Sequence, residues 1–198
     1  FLKWEFYLAR LDIKGVKKMD SFLTFLSGFV LTVTPGKVGE VFKSLILFET
    51  YGVAMTRTAP IVVAERATDV VGIVLLIIYG ATVGFSGGLV WAGVGAGLVL
   101  ALLLVVGNRK LSLALIGIVA KMPGKVGKMG PKLEAAYESL ATMLKPQNLF
   151  VPSLLSAGAW MLECLALWVI LDGFGETIAV PLATFFYSTS TLVGAIVP

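Results

Sequence analysis

The run GLVWAGVGAGLVLALLLVVG, residues 88 to 107, contains twenty residues without a single charge. A bilayer core about 30 Å thick is crossed by roughly 20 apolar residues in helical form. Two more runs have the same character. One covers about 54 to 83 and contains IVVAERATDVVGIVLLIIYG; the other covers about 148 to 171, NLFVPSLLSAGAWMLECLALWVIL. Such runs are too long and too apolar for ordinary core helices. They predict an all-α, polytopic membrane helical bundle.

Two further apolar stretches do not fit as straight spans. Residues 20 to 33 would make only about 21 Å of helix, and 38 to 49 about 18 Å. Between them lies TPGKVGE, residues 34 to 40, where Pro35 and Gly36 break the helix. Two half-length helices around a break predict a re-entrant hairpin that enters and leaves on one side. Residues 178 to 197 read either as a full span or as the first arm of a second hairpin, giving an inverted repeat.

Charge placement supports the hairpin. Lys and Arg collect in short cytoplasmic loops. Five lie in residues 1 to 19: Lys3, Arg10, Lys14, Lys17 and Lys18. Seven lie in 108 to 147: Arg109, Lys110, Lys121, Lys125, Lys128, Lys132 and Lys145. The connection near 84 to 88 carries no charge, and DGFGE, 172 to 176, has acids only. If 20 to 49 doubles back, every basic loop falls inside and every base-free loop outside. If it crosses, the two basic loops fall on opposite faces. The net charge of +4 is thereby explained without nucleic acid.

The chain is expected to be one integral membrane domain over 1–198, a fragment truncated at both ends. Residues 108–147 are expected to form a cytoplasmic amphipathic connector. There, Leu133, Tyr137, Leu140 and Leu144 share a face suited to the membrane surface or to the bundle. With no histidine and one cysteine, Cys164, neither a metal site nor a disulfide framework is expected. Cys164 reads as a small buried hydrophobe. Gly93 and Gly97 form a GxxxG suited to close helix packing. Thr184, Ser188 and Thr191 either line a path or satisfy local backbone groups.

Ionisable groups at membrane depth usually face a cavity or a partner. Glu65, Thr68, Asp69 and Gly72 stand at i, i+3, i+4 and i+7, one polar stripe on an apolar helix, and Arg66 can pair with Asp69. Glu40, Lys43 and Ser44 repeat the i, i+3, i+4 spacing. These two faces are expected to meet. Irregular backbone at Pro35 and Gly36 suits a wet cavity, and a helix starting near Lys37 would aim its N–H groups there. Lys37 and Lys43 add positive charge, so the expected ligand is an anionic headgroup. A packed ion-pair cluster that fixes helix registry is the competing reading of Glu65, Arg66 and Asp69. Glu163 is read as a hydrogen-bonding or functional group.

The chain resembles the lysylphosphatidylglycerol synthase transmembrane family of flippase-like proteins. The resemblance rests on the Pro-Gly-x-x-Gly-Glu turn of Pro35, Gly36, Gly39 and Glu40, followed by the Glu-Arg-x-x-Asp motif of Glu65, Arg66 and Asp69. It covers nearly the whole chain. Lys37 and Lys43 match positions often basic in that family. The resemblance implies a multi-pass cell-membrane protein that binds and translocates an anionic phospholipid or a polyprenyl-phosphate-linked headgroup. It implies no aminoacyl transfer, and no cofactor is expected. The substrate-binding residues carried over are Pro35, Gly36, Lys37, Gly39, Glu40, Lys43, Glu65, Arg66 and Asp69. Alternatives are a polyprenyl-phosphate-dependent glycosyltransferase or its accessory, and a non-catalytic membrane scaffold. An oligomer is compatible with each.

Overall fold

A computed structural model describes residues 1–30, 40–84, 88–108, 113 and 130–196. Every regular element among them is helical. The helices are α1 (Leu2–Arg10), α2 (Lys18–Val30), α3 (Phe42–Tyr51), α4 (Met55–Thr58), α5 (Pro60–Gly84), α6 (Gly88–Gly107), α7 (Gly130–Met143), α8 (Pro146–Gly173) and α9 (Val180–Ile196). The chain divides into two compact units, Phe1–Glu65 with Leu104–Leu149, and Arg66–Leu103 with Phe150–Pro198.

In the first unit, α1 turns one stripe inward. Trp4, Tyr7, Leu8 and Leu11 are buried, at i, i+3, i+4 and i+7 as one face of a helix requires. The Tyr7 hydroxyl donates to the Ala64 carbonyl at 3.3 Å, and Trp4 Nε1 donates to Ser21 Oγ at 3.1 Å. These bonds tie α1 to α2 and to the start of α5.

Helices α2 and α3 are short, at 13 and 10 residues, or about 20 and 15 Å. They pack antiparallel. Near one end the Tyr51 hydroxyl donates to Asp20; further along, Gly28 faces the Lys43 stem, where an added Cβ would meet Cδ at 2.9 Å. Gly52 ends α3 with φ 67°. Its N–H and that of Val53 return to the carbonyls of Phe48 and Leu47, the left-handed cap that glycine supplies without a Cβ clash.

The apolar tract expected as one span from 54 is divided. Helix α4 closes on the bond from Ala59 N–H to Met55 carbonyl, and α5 starts anew at Pro60. Proline lacks the N–H an interior position must donate, but is well placed at a first helical position. Helix α4 packs on α7, which also touches α1. Of the amphipathic face of α7, Tyr137 and Leu144 are buried and Leu133 and Leu140 are half-buried.

In the second unit the helices approach closely. A Cβ on Gly72 would lie 2.7 Å from the Ala157 backbone nitrogen, and one on Gly80 would lie 2.6 Å from the Pro181 carbonyl oxygen. Ile73, Ile77 and Ala81 of α5 meet Phe185 and Leu192 of α9 in a buried cluster, with Val70 and Trp160 against it. Gly80 meets the start of α9, whereas Val74 and Leu192 flank Gly95 of α6, so α5 and α9 run antiparallel. Trp168 Nε1 reaches the Ile178 carbonyl and Cys164 reaches Ser188, so α8 and α9 are antiparallel too. It follows that α5 and α8 point the same way. The GxxxG expectation is corrected here: no described atom lies within 4 Å of a Cβ placed on Gly93 or Gly97, and Gly95 makes the close contact. Among the described residues α8, 28 residues long and with an 18-residue stretch of mean hydropathy 1.9, meets both the length and the hydropathy needed to cross a membrane.

Candidate functional site

Lys43 lies on the first turn of α3, and Glu65 lies in the second turn of α5. Lys43 Nζ donates to Glu65 Oε2 at 2.9 Å, with only 4% and 9% of the two side chains exposed. The ammonium also lies 5.0 Å from the Trp4 ring centroid and 5.5 Å from that of Phe25. Aromatic faces carry partial negative charge and attract a cation at this range. One carboxylate and two rings thus hold the ammonium inside the protein.

The partners are themselves braced. Lys3 Nζ donates to the Glu65 carbonyl at 3.0 Å, and Tyr7 fixes the preceding carbonyl of Ala64. Ser21, which accepts from Trp4, donates to Glu5. Lys18 pairs with Glu5 at 2.5 Å. Burial alone would raise the Glu5 pKa, but the hydrogen bonds from Lys18 and Ser21, with the Lys18 charge, outweigh it and hold the carboxyl below its ordinary value. Glu40, just ahead of α3, is buried as well.

The next residues of α5 belong to the second unit. Arg66 Nη1 pairs with Asp69 Oδ2 at 3.3 Å, the i, i+3 partnership expected from spacing. Asp69 Oδ1 accepts from Ser156 Oγ at 2.9 Å. Thr68 is fully buried, and Gly72 lies against Ser156 and Ala157. The polar stripe of α5 therefore packs on α8 from Asp69 onward.

Of the expected site residues, Lys43 and Glu65 are brought together, as are Arg66 and Asp69. Pro35, Gly36, Lys37 and Gly39 lie outside the described residues. The sequence reading missed Trp4 and Phe25 beside Lys43, and Ser156 beside Asp69. An aromatic within an apolar stripe carries no local sign that its face meets a cation on another helix.

Other polar groups find local partners. The hydroxyls of Thr184 and Thr191 donate to carbonyls one turn back, those of Val180 and Tyr187. Cys164 is buried, 3.5 Å from Ser188 Oγ. Glu163 accepts from the Tyr187 hydroxyl at 3.3 Å. Among the described residues there is no group of three or more His, Cys, Asp or Glu able to hold a metal ion.

The family model described as the lysylphosphatidylglycerol synthase TM region matches residues 1–198, the full length of the chain. The chain belongs to the lysylphosphatidylglycerol synthase transmembrane family. Membership of that family makes it a membrane protein connected with lipid metabolism or transport. No curated protein and no solved structure matches it.

Proposed function

We propose that this protein is a multi-pass cell-membrane protein of the flippase-like kind, which binds an anionic phospholipid or lipid-linked headgroup and moves it between leaflets. The observation that carries the reading is the buried Lys43–Glu65 pair. Desolvating two charges costs several kcal/mol per ion, and one hydrogen-bonded contact returns that only in part. A protein of lipid-handling membership that keeps such a pair on a half-length helix has a use for it as an exchangeable contact. An incoming phosphate takes the place of the Glu65 carboxylate at Lys43, and Glu65 in turn orients a cationic part of the headgroup.

The antiparallel α2 and α3 support a re-entrant hairpin. Each is too short to cross about 30 Å of hydrocarbon, and they would carry the Pro35–Gly39 break at the bilayer interior. The shared direction of α5 and α8 suits the same picture, with α6 and α9 returning and the basic loops on the cytoplasmic side. Glu40, buried just ahead of α3, belongs with Lys43 and Glu65 in this proposed site.

The test is reconstitution into liposomes with a headgroup-labelled anionic lipid in one leaflet, followed by chemical quenching from outside. Lys43→Gln and Glu40→Gln should slow exchange by about tenfold or more, as loss of a charge-assisted contact implies. Exchange at the wild-type rate in both variants would remove the assignment.

A further inference from the structure

A second polar cleft lies in the first unit, away from Lys43. It has a volume of about 470 Å³ and is walled by the loop after α1, through Asp12, Ile13 and Lys14, by the loop after α3, through Gly52, Val53 and Ala54, and by Arg57 of α4. That volume falls within the range of ordinary small-ligand sites. Its charged groups are two cations and one carboxylate.

The carboxylate shows where an anion fits. Asp12 Oδ1 accepts from Lys14 Nζ at 2.7 Å. The Asp12 carboxyl is held below its ordinary pKa first by the Lys14 hydrogen bond and then by the Lys14 charge. A small opposing effect of burial comes next, and the Arg57 charge lowers it further. Lys14 therefore marks one oxyanion position, and Arg57 lines the same cleft. The Asp12–Lys14 pair is open to solvent, with side chains 75% and 82% exposed. Exposed pairs contribute little to stability, so an anion of higher charge displaces the carboxylate easily.

Arg57 is better anchored. Its Nη2 donates to the Leu11 carbonyl at the end of α1, which anchors the guanidinium at the cleft wall and uses one of its five N–H donors. A planar fork held in place matches the geometry of a phosphate, whose oxygens accept two parallel bonds.

We infer that this cleft is a phosphate-oxyanion site, in which Lys14 and Arg57 bind the anion and Asp12 competes for the same place. The ligand is a phosphate-bearing group, from a lipid headgroup at the bilayer surface or from a soluble phosphate. Its walls lead directly into the start of α2 and out of the end of α3, so an anion there clamps the open end of that helix pair. The site is separate from Lys43 and Glu65, and it stands whether or not those residues bind lipid.

The test places the full chain in nanodiscs. In phosphatidylcholine discs, inorganic phosphate and glycerol phosphate are titrated calorimetrically. In discs containing phosphatidylglycerol, retained anionic lipid is counted by native mass spectrometry. Binding in the first arm alone identifies a soluble phosphate; retention in the second identifies a lipid headgroup. In whichever arm binds, Lys14→Gln should weaken affinity about fivefold and the Lys14→Gln, Arg57→Gln pair by about tenfold or more. Asp12→Asn removes the competitor and should tighten binding about threefold or more. Asparagine tolerates the φ of 52° at this position, and a gain in affinity cannot come from misfolding. Absence of saturable binding in both arms, or wild-type affinity in Asp12→Asn and Lys14→Gln, would overturn the inference.

Discussion

Lys43 Nζ and Glu65 Oε2 are 2.9 Å apart in the protein interior, with the rings of Trp4 and Phe25 closing over the ammonium. Pair and rings come from four helices. The arrangement joins α1, α2, α3 and α5 at one point, which makes it both a packing element and the centre of the proposed site. Those two roles are separable by substitution.

Lys43→Met removes the cation that lies 2.9 Å from the buried Glu65 carboxylate, and should destabilise the protein by about 3–5 kcal/mol. The Lys43→Met, Glu65→Met double variant removes both charges while keeping volume, and should regain most of that loss. Thermal unfolding in detergent measures both. If the pair serves lipid movement, the double variant is stable yet inactive in the leaflet-exchange assay. A double variant that is stable and moves lipid at the wild-type rate would leave the pair a registry device alone.

The glycines of α5 and α6 predict opposite responses. Gly80→Ala forces a methyl to within 2.6 Å of the Pro181 carbonyl oxygen, a backbone atom that cannot swing aside, and should cost about 1–3 kcal/mol. Gly93→Ala meets no described atom within 4 Å and gains helix propensity, up to about 1 kcal/mol. Paired melting curves of the two variants check this. A Gly93→Ala loss as large as that of Gly80→Ala would mean that the Gly93 face is covered by another chain.

Glu5 gives a pH prediction with a definite sign. Its carboxyl is held below the ordinary 4.5, so the folded state prefers it ionised. That stabilisation is fully present above 4.5 and disappears as pH falls through the lowered value. Wild type should melt above Glu5→Gln at pH 7, with the gap closing as the pH is taken below about 4.5. A gap independent of pH would assign the effect to packing rather than to the Lys18 and Ser21 contacts.

Much of this was legible in the sequence, and the limit has a physical cause. Spacing alone marked Glu65, Arg66 and Asp69, because i, i+3 and i+4 neighbours are set by helix geometry. Helix α5 starts at Pro60, but the apolar run through that position hid the break. What spacing cannot give is the partner across a helix interface. Trp4 over Lys43 and Ser156 on Asp69 depend on which faces pack, and so does the choice of Gly95 over Gly93 and Gly97. The same holds for α7: Tyr137 and Leu144 are buried, a fact its amphipathic pattern permits but does not select.

The relative direction of the helices leads to a labelling experiment. Cys164 is buried beside Ser188, and Cys164→Ser provides a background without reactive thiols. Lys14, Lys145 and Glu176 are all exposed, and each is changed to cysteine singly. If, as proposed, α2 and α3 double back, α5 crosses outward, α6 returns and α8 crosses outward again, Lys14→Cys and Lys145→Cys should react with an impermeant maleimide only from the cytoplasmic side. Glu176→Cys, in the loop where α8 ends and α9 turns back, should react only from the other. Lys14 and Lys145 labelling from opposite sides would require an odd number of crossings between them. The α2–α3 pair would then be a pass through the bilayer rather than a hairpin, and Lys43 would lose its place at the tip of a re-entrant site.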